Sequence, residues 1–252
     1  MPRYNKLFSI ICRKTICITP FLLVYLYYEY SRALVAGFNK SVTFGLLLSF
    51  EEKVFHEPLI VFFLSHKNIL LDFISAVVYA MHPLYLALYA LLLLILPQCK
   101  YEYAKFTLEF AIASVIGVTL YLVFPVAPPW IAVPGVTRIP NPLVMIVSAL
   151  TGRQYYDPNP YAAMPSMHVG MTVLFVLSIR RTTGKGLFYR LALLFSLAMA
   201  FSVLYTGNHY LLDVIAGYLV GFSSVWLGRY VEGRYSGLLQ RFSEYCGGIS
   251  GA

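Results

Sequence analysis

Leu187–Tyr205 reads LFYRLALLFSLAMAFSVLY, an apolar stretch with a single charge, Arg190, close to its start. Wound as a helix at 1.5 Å per residue it covers roughly 28 Å, about the hydrocarbon thickness of a bilayer. Reading outward, five further stretches have the same character: Ile16–Ala36, Leu70–Leu96, Ala104–Phe124, Met167–Ile179 and Tyr210–Arg229. Composition agrees, because 59% of the chain is hydrophobic and only 12% charged, where soluble domains carry roughly 25%. The 21 Tyr and 18 Phe suit belts at the two membrane interfaces. The expectation is an all-α polytopic bundle of six transmembrane helices. It forms a single integral membrane domain over residues 1–252: an N-terminal span and interfacial segment 1–69, a catalytic bundle 70–230 and a short cytoplasmic tail 231–252.

Two segments need separate treatment. Met167–Ile179 is short as an apolar run, but it becomes long enough if its helix begins near Pro165 and ends at Arg180 and Arg181, whose side chains snorkel. Ser41–Leu64 is too interrupted to span, since Glu51, Glu52, Lys53, His56 and Glu57 precede Pro58; it reads as an interfacial or re-entrant piece. The N-terminal stretch shows no small-residue cleavage site and reads as an uncleaved span.

Six spans fix which loops share a side. Thirteen of the 19 Lys and Arg, from Arg3, Lys6, Arg13 and Lys14 through Arg180, Arg181 and Lys185 to Arg241, fall on one side. Arg32, Lys40, Lys53, Lys67, Arg138 and Arg153 fall on the other. The positive-inside bias therefore places both termini in the cytoplasm. Cys12, Cys17, Cys99 and Cys246 all lie on that side and read as free thiols. The net charge of +8 comes without a basic run or a recognition module, so nucleic acid is not an expected partner. The expected partners are the bilayer and a lipid phosphate or phospholipid substrate.

Chemistry concentrates on the outer side. The proline-studded loop Pro125–Pro165 is long enough to be functional, with Leu143–Leu150 as a helix lying flat at the interface. His168 opens the fourth span in Pro165-Ser-Met-His168, and His209 and Asp213 open the sixth. The i, i+4 spacing of His209 and Asp213 puts both on one helix face. A carboxylate beside one ring nitrogen fixes the tautomer and leaves the other nitrogen as base or nucleophile. His168, on another helix, then serves as acid toward a leaving oxygen. Ser166 stands where a helix begins, a setting that favours an anion. Three ionisable groups on one side of a membrane protein are costly enough to suggest a site. His82 reads equally well as a histidine hydrogen-bonded to a neighbouring helix. Asp72 reads as a helix N-terminal acid, Glu109 as a partner of Lys105, and His56 and His66 as loop residues without a role. The competing sharp reading, zinc on His168, His209 and Asp213, has no HExxH motif or Cys/His cluster behind it, so no metal and no cofactor is expected.

Pro165-Ser-Met-His168 and His209-x-x-x-Asp213 resemble the second and third signatures of the type 2 phosphatidic acid phosphatase superfamily. The resemblance implies six spans, no metal and a phosphohistidine intermediate, with His209 as nucleophile, Asp213 as its orienter, His168 as general acid and Ser166 at the phosphate. That family's first signature, a Lys ahead of an Arg-Pro, is missing, and Val203 stands where its third signature has an Arg. Phe124-Pro-Val-Ala-Pro-Pro-Trp130, the stretch from Asp157 to His168 and Tyr79-x-x-His82 resemble instead the inositol phosphorylceramide synthase-like branch, which uses the same His, His, Asp set. The missing cations fit a monoanionic diester better than a dianion. Arg138 and Arg153 are the expected replacements, with Tyr155, Tyr156, Asn159 and His82 as further substrate contacts. The reading is a lipid phosphatase or phosphotransferase with its site on the extracytoplasmic face. Alternatives are a strict inositol-phosphate transferase and a catalytically idle lipid-binding relative.

Overall fold

A computed structural model describes residues 2–38, 42–152 and 159–247, with side chains from residue 12 onward. Its helices are α1 Pro2–Ala36, α2 Gly45–Phe55, α3 Leu59–Ser65, α4 Ile69–Ala80, α5 His82–Ile95 and α6 Lys100–Val123. They continue with α7 Pro129–Ala132, α8 Pro142–Thr151, α9 Met167–Thr183, α10 Leu187–Tyr205 and α11 Leu211–Gly247. No strand longer than an isolated bridge occurs among the described residues, so the all-α expectation holds.

By length and apolar composition three segments can cross a bilayer: Pro97–Val123, Leu187–Tyr205 and Leu211–Gly247. The pair α4 and α5, bent by 47° at the break, makes a fourth. The expected count of six is thus not reached by α1 and α9. The reason in α9 is its place at the centre of the bundle, against α5, α6, α10 and α11, where most of its residues are buried. A helix wrapped by others faces little lipid and needs less apolar surface. In α1 the stretch expected to span carries Glu29 and Arg32.

Local chemistry explains the helix ends. Asn68 accepts from the N–H groups of Leu70 and Leu71 and starts α4, and Asn141 does the same for Leu143 ahead of Pro142 in α8. Pro83 follows the break at Met81 and opens α5. α8 buries none of its residues and fits a helix lying on the surface. Ser41–Leu64, expected to be interfacial, contains α2 and α3.

Small residues bring α9 and α11 together. A β-carbon on Gly217 would run into the carbonyl oxygen of Ser166, one on Gly221 would lie 2.5 Å from the Gly170 carbonyl oxygen, and one on Gly170 would lie 2.9 Å from that of Gly217. This small-xxx-small seam lets two backbones touch, which sets the distance between His168 at the start of α9 and His209 just ahead of α11.

The opposite end of α9 is held by charge. Arg181 reaches Glu102 at 2.5 Å and Glu109 at 2.8 Å, and Lys105 reaches Glu232 at 2.5 Å. Glu109 therefore pairs with Arg181 across the helix interface, not with Lys105 along its own helix. The free-thiol reading is also corrected in part. Cys17 and Cys246 form a disulfide that ties α1 to the end of α11, while Cys12 and Cys99 are free. Sequence spacing gave no hint of that pair, because it spans 229 residues and depends on two helix ends meeting.

Candidate active site

His209 stands in a tight turn between α10 and α11. Gly207, at φ 73°, turns the chain, and the Val203 carbonyl accepts from both Asn208 and His209 backbone N–H groups at 3.1 Å. The ring is nearly enclosed, at 6% exposure. Its Nδ1 lies 2.7 Å from the Ala163 carbonyl oxygen and 3.5 Å from Asp213 Oδ2. The carbonyl can only accept, so Nδ1 carries the proton and donates to it, which leaves a lone pair on Nε2.

The loop that supplies this carbonyl is fixed by backbone pairing. Thr43, Val126 and Ala162 form two parallel bridges, and Val126 donates to Tyr161 at 2.9 Å while accepting from Ala163 at 3.3 Å. Asp213 is fully buried, and its Oδ2 accepts the Tyr210 N–H at 2.8 Å. It therefore holds the turn that carries His209 as well as lying beside the ring. Its Oδ1 has no hydrogen-bond partner.

His168 lies on the facing helix with its ring centroid 5.9 Å from that of His209. Tyr79 stacks on it at 4.3 Å and 20°, and His82 packs against it at 4.3 Å. All four rings line a cavity of about 420 Å³ whose other walls include Trp130, Arg138, Asn159, Arg32 and Glu29. Arg138 sits over the Trp130 ring at 5.4 Å and donates to the Tyr79 hydroxyl at 3.4 Å.

Other expected contacts fall differently. Ser166 is fully buried, does not line the cavity, and its hydroxyl has no partner. Its backbone N–H donates to the Asp213 carbonyl at 2.9 Å, so it joins α9 to α11 instead of facing an anion. Asn159 lines the cavity, yet its amide donates to the Arg32 carbonyl at 2.9 Å and accepts from the Tyr161 N–H at 3.1 Å. Arg153, Tyr155 and Tyr156 lie outside the described residues. Among the described residues no three His, Cys, Asp or Glu side chains are grouped to hold a metal ion.

Three groups escaped sequence reasoning. Glu29 and Arg32, one turn apart in α1, pair at 3.3 Å on the cavity wall. The signal was present, since two charges at i, i+3 inside an apolar stretch are costly without a task. Glu51 is the third. Only 1% exposed, it accepts the first N–H of α11, at Leu211, at 2.8 Å and that of α3, at Leu59, at 3.0 Å. One side chain from α2 thus caps the helix that follows His209.

Burial pushes the Glu51 carboxyl up from its ordinary range, opposed by those two N–H bonds. The folded chain then binds this proton more tightly than the unfolded chain. Stability contributed by this group therefore falls as pH rises from the ordinary carboxylate value through the raised one. Glu51→Gln is expected to flatten that slope in a thermal-unfolding series across the acidic range. It should also cost roughly 1–3 kcal/mol at neutral pH, because one N–H loses its acceptor. An unchanged slope would remove Glu51 as its source.

Comparison with known proteins places this geometry. Residues 46–227 match the PAP2 superfamily. Over 134 residues the chain is 34% identical to a protein named phosphoinositol dihydroceramide synthase from Bacteroides thetaiotaomicron, a match covering 46% of this chain and 42% of that one. The chain thus spans under half the length of this curated relative. No solved structure matches. With the match extending from α2 into α11 and enclosing His168, His209 and Asp213, the chain belongs to the PAP2 superfamily.

Proposed function

We propose that this multi-pass membrane protein transfers a phosphate or phospho-head-group from a lipid phosphoester to water or a hydroxyl acceptor through a phosphohistidine on His209. One observation carries the reading. The Nδ1 of a buried histidine is committed to the Ala163 carbonyl at 2.7 Å, while the same ring lines the cavity. Nε2 is the remaining nitrogen, with its lone pair available to phosphorus.

In the first half-reaction Nε2 attacks phosphorus, the bond from phosphorus to the lipid oxygen breaks, and His168 gives that oxygen a proton. In the second, His168 takes a proton from water or an alcohol, whose oxygen attacks phosphorus and releases the histidine. Asp213 steadies the imidazolium that forms. The balance needs no metal, so turnover is expected to survive a chelator and to be inhibited by vanadate. The name of the relative from Bacteroides thetaiotaomicron supports head-group transfer to a lipid hydroxyl over simple hydrolysis. The deciding assay sets purified protein against lipid phosphates and phospholipids, with and without a ceramide-type acceptor. Turnover of none of them would reject the proposal.

Arg138 is proposed to hold the phosphate, with Arg32, which lines the same cavity, supplying a second guanidinium. Arg138→Ala is expected to lower kcat/KM by roughly ten- to a thousand-fold, about 1.4–4 kcal/mol. Lys should restore only part, because it lacks the planar fork and stacks poorly on Trp130. Full activity in Arg138→Ala would move phosphate binding to Arg32 or to the loop around Arg153.

Sidedness is a proposal on which two signals disagree. The basic residues mark the face bearing Arg181 as cytoplasmic, whereas a Cys17–Cys246 disulfide on that face marks an oxidising compartment. The basic count rests on many residues, and we place the active site on the extracytoplasmic face. With Cys12 and Cys99 replaced by Ser, Thr151→Cys is expected to react with an impermeant thiol reagent in intact cells and Lys185→Cys is not. The reverse pattern would invert the orientation.

A further inference from the structure

The match to the PAP2 superfamily begins at residue 46, so α1 lies outside it. Yet α1 supplies Tyr25, Tyr28, Glu29 and Arg32 to the same cavity as His168 and His209. α1 is also fastened to the bundle with some care. Tyr28 and Tyr121 hydroxyls meet at 3.4 Å, and Tyr121 in turn donates to the Pro165 carbonyl at 3.3 Å, just ahead of α9. Asn159 donates to the Arg32 carbonyl at 2.9 Å, and the disulfide from Cys17 fixes the other end of the helix. Part of the cavity wall is therefore built by a helix that the family segment does not include.

Glu29 is the one carboxylate among the described residues lining that cavity. A carboxylate is a poor neighbour for a phosphate, because like charges in a low-dielectric space repel. Arg32, paired with its Oε2 at 3.3 Å, offsets that repulsion. Glu29 Oε1 makes no hydrogen bond among the described residues, and 38% of the side chain stays accessible. Among the polar lining groups Glu29 is the ionised acceptor: Asn159 spends its oxygen on the Tyr161 N–H, Asn141 spends its own on Leu143, Asn208 offers only a neutral amide oxygen, and the arginines only donate. A hydroxyl-bearing group is matched by an acceptor next to a fixed donor, since each hydroxyl both gives and takes a hydrogen bond, and an ionised acceptor makes the stronger bond.

We infer that Glu29, held by Arg32, is a specificity-determining residue that accepts hydrogen bonds from hydroxyls of the head group carried on the transferring phosphate. The inference rests on the head-group-transfer reading above. In that chemistry the head group stays bonded to phosphorus through both half-reactions, so the cavity must hold it while one lipid leaves and the next arrives. A phosphate monoester gives Glu29 nothing to bind.

The test compares phosphatidylinositol with phosphatidic acid of the same acyl chains, as substrates for purified full-length protein in detergent micelles. Glu29→Ala is expected to lower the ratio of the two kcat/KM values, inositol lipid over phosphatidic acid, by tenfold or more. Glu29→Gln, which keeps one accepting oxygen, should recover part of the ratio. Equal losses on both substrates would mean that Glu29 only supports the fold of α1, and the inference would fall. An unchanged ratio would also overturn it. Wild-type protein that turns over phosphatidic acid but no hydroxyl-bearing phospholipid would refute the role of Glu29 while leaving phosphohistidine chemistry in place. Turnover of neither lipid would reject the underlying reading and this inference with it.

Discussion

Replacing His209 by alanine is expected to abolish turnover while leaving the bundle folded. The loss expected is that of a nucleophile, which in a serine protease is worth about 10⁶ in kcat. No neighbour can substitute. His168 is the nearest other imidazole, but its centroid is 5.9 Å away and its ring is sandwiched by Tyr79 and His82. The fold should survive, because the His209 ring makes one side-chain hydrogen bond, to Ala163, while the turn is held by Val203, Asp213 and Glu51. Rapid quench with labelled substrate should trap an acid-labile phosphoprotein in wild type and none in His209→Ala. Asp213→Asn provides a graded comparison. Asp213 is 3.5 Å from Nδ1 where the Ala163 carbonyl is 2.7 Å, so the carbonyl keeps the tautomer after the carboxylate is neutralised. The expected loss is therefore that of one close carboxylate contact to the imidazolium, roughly ten- to 150-fold or about 1.5–3 kcal/mol, well short of the roughly 10⁴ seen in a serine-protease triad. Wild-type-like activity in His209→Ala would sink the nucleophile assignment.

His168→Ala is expected to lower kcat/KM for a natural lipid ester by roughly 10²–10⁴, the usual worth of a positioned acid or base. The diagnostic is the leaving group. A lipid alcohol leaves as a strongly basic alkoxide and needs the proton, whereas a nitrophenolate does not. With a nitrophenyl phosphodiester the variant should give a burst of about one nitrophenolate per protein and then stall. The stall comes from the second half-reaction, in which the incoming hydroxyl still needs a base. Equal slowing with both leaving groups and no burst would show that His168 merely packs the cavity wall against Tyr79 and His82.

Legibility in the sequence followed the range of each interaction. The Leu187–Tyr205 stretch was readable because its cause, an unbroken apolar run, lies within the segment itself, whereas the caps at Asn68 and Asn141 emerged only with the helix boundaries. His209 and Asp213 do lie side by side, but His209 stands in the turn ahead of α11 and not on the helix face that the i, i+4 spacing suggested. The span count was not readable, since α9 owes its low apolar content to neighbours that only the bundle supplies. Glu51 looked like a polar interruption of an interfacial segment. Its role is to cap a helix that starts 160 residues later, a relation no local pattern encodes. Ser166 sat at the right position for an anion, but close packing of Gly217 against its carbonyl turns the hydroxyl into a buried group away from the cavity. The Glu29–Arg32 pair was visible as intramembrane charge. What hid its meaning was that α1 had no known neighbour until the fold set it against the cavity that the histidines line.

Wherever the Cys17–Cys246 bond is kept oxidised, it also changes what the chain is as a covalent object. It closes residues 17–246 into a ring that contains every cavity-lining side chain among the described residues. A single peptide cut anywhere in that ring, including one at the exposed Gly152 that ends α8, opens the circle without producing two pieces. A nicked molecule should keep its full mass on a non-reducing gel and fall into two fragments only once a reductant is added. A break in the backbone far from the membrane core therefore leaves each wall of the site still chemically leashed to the others.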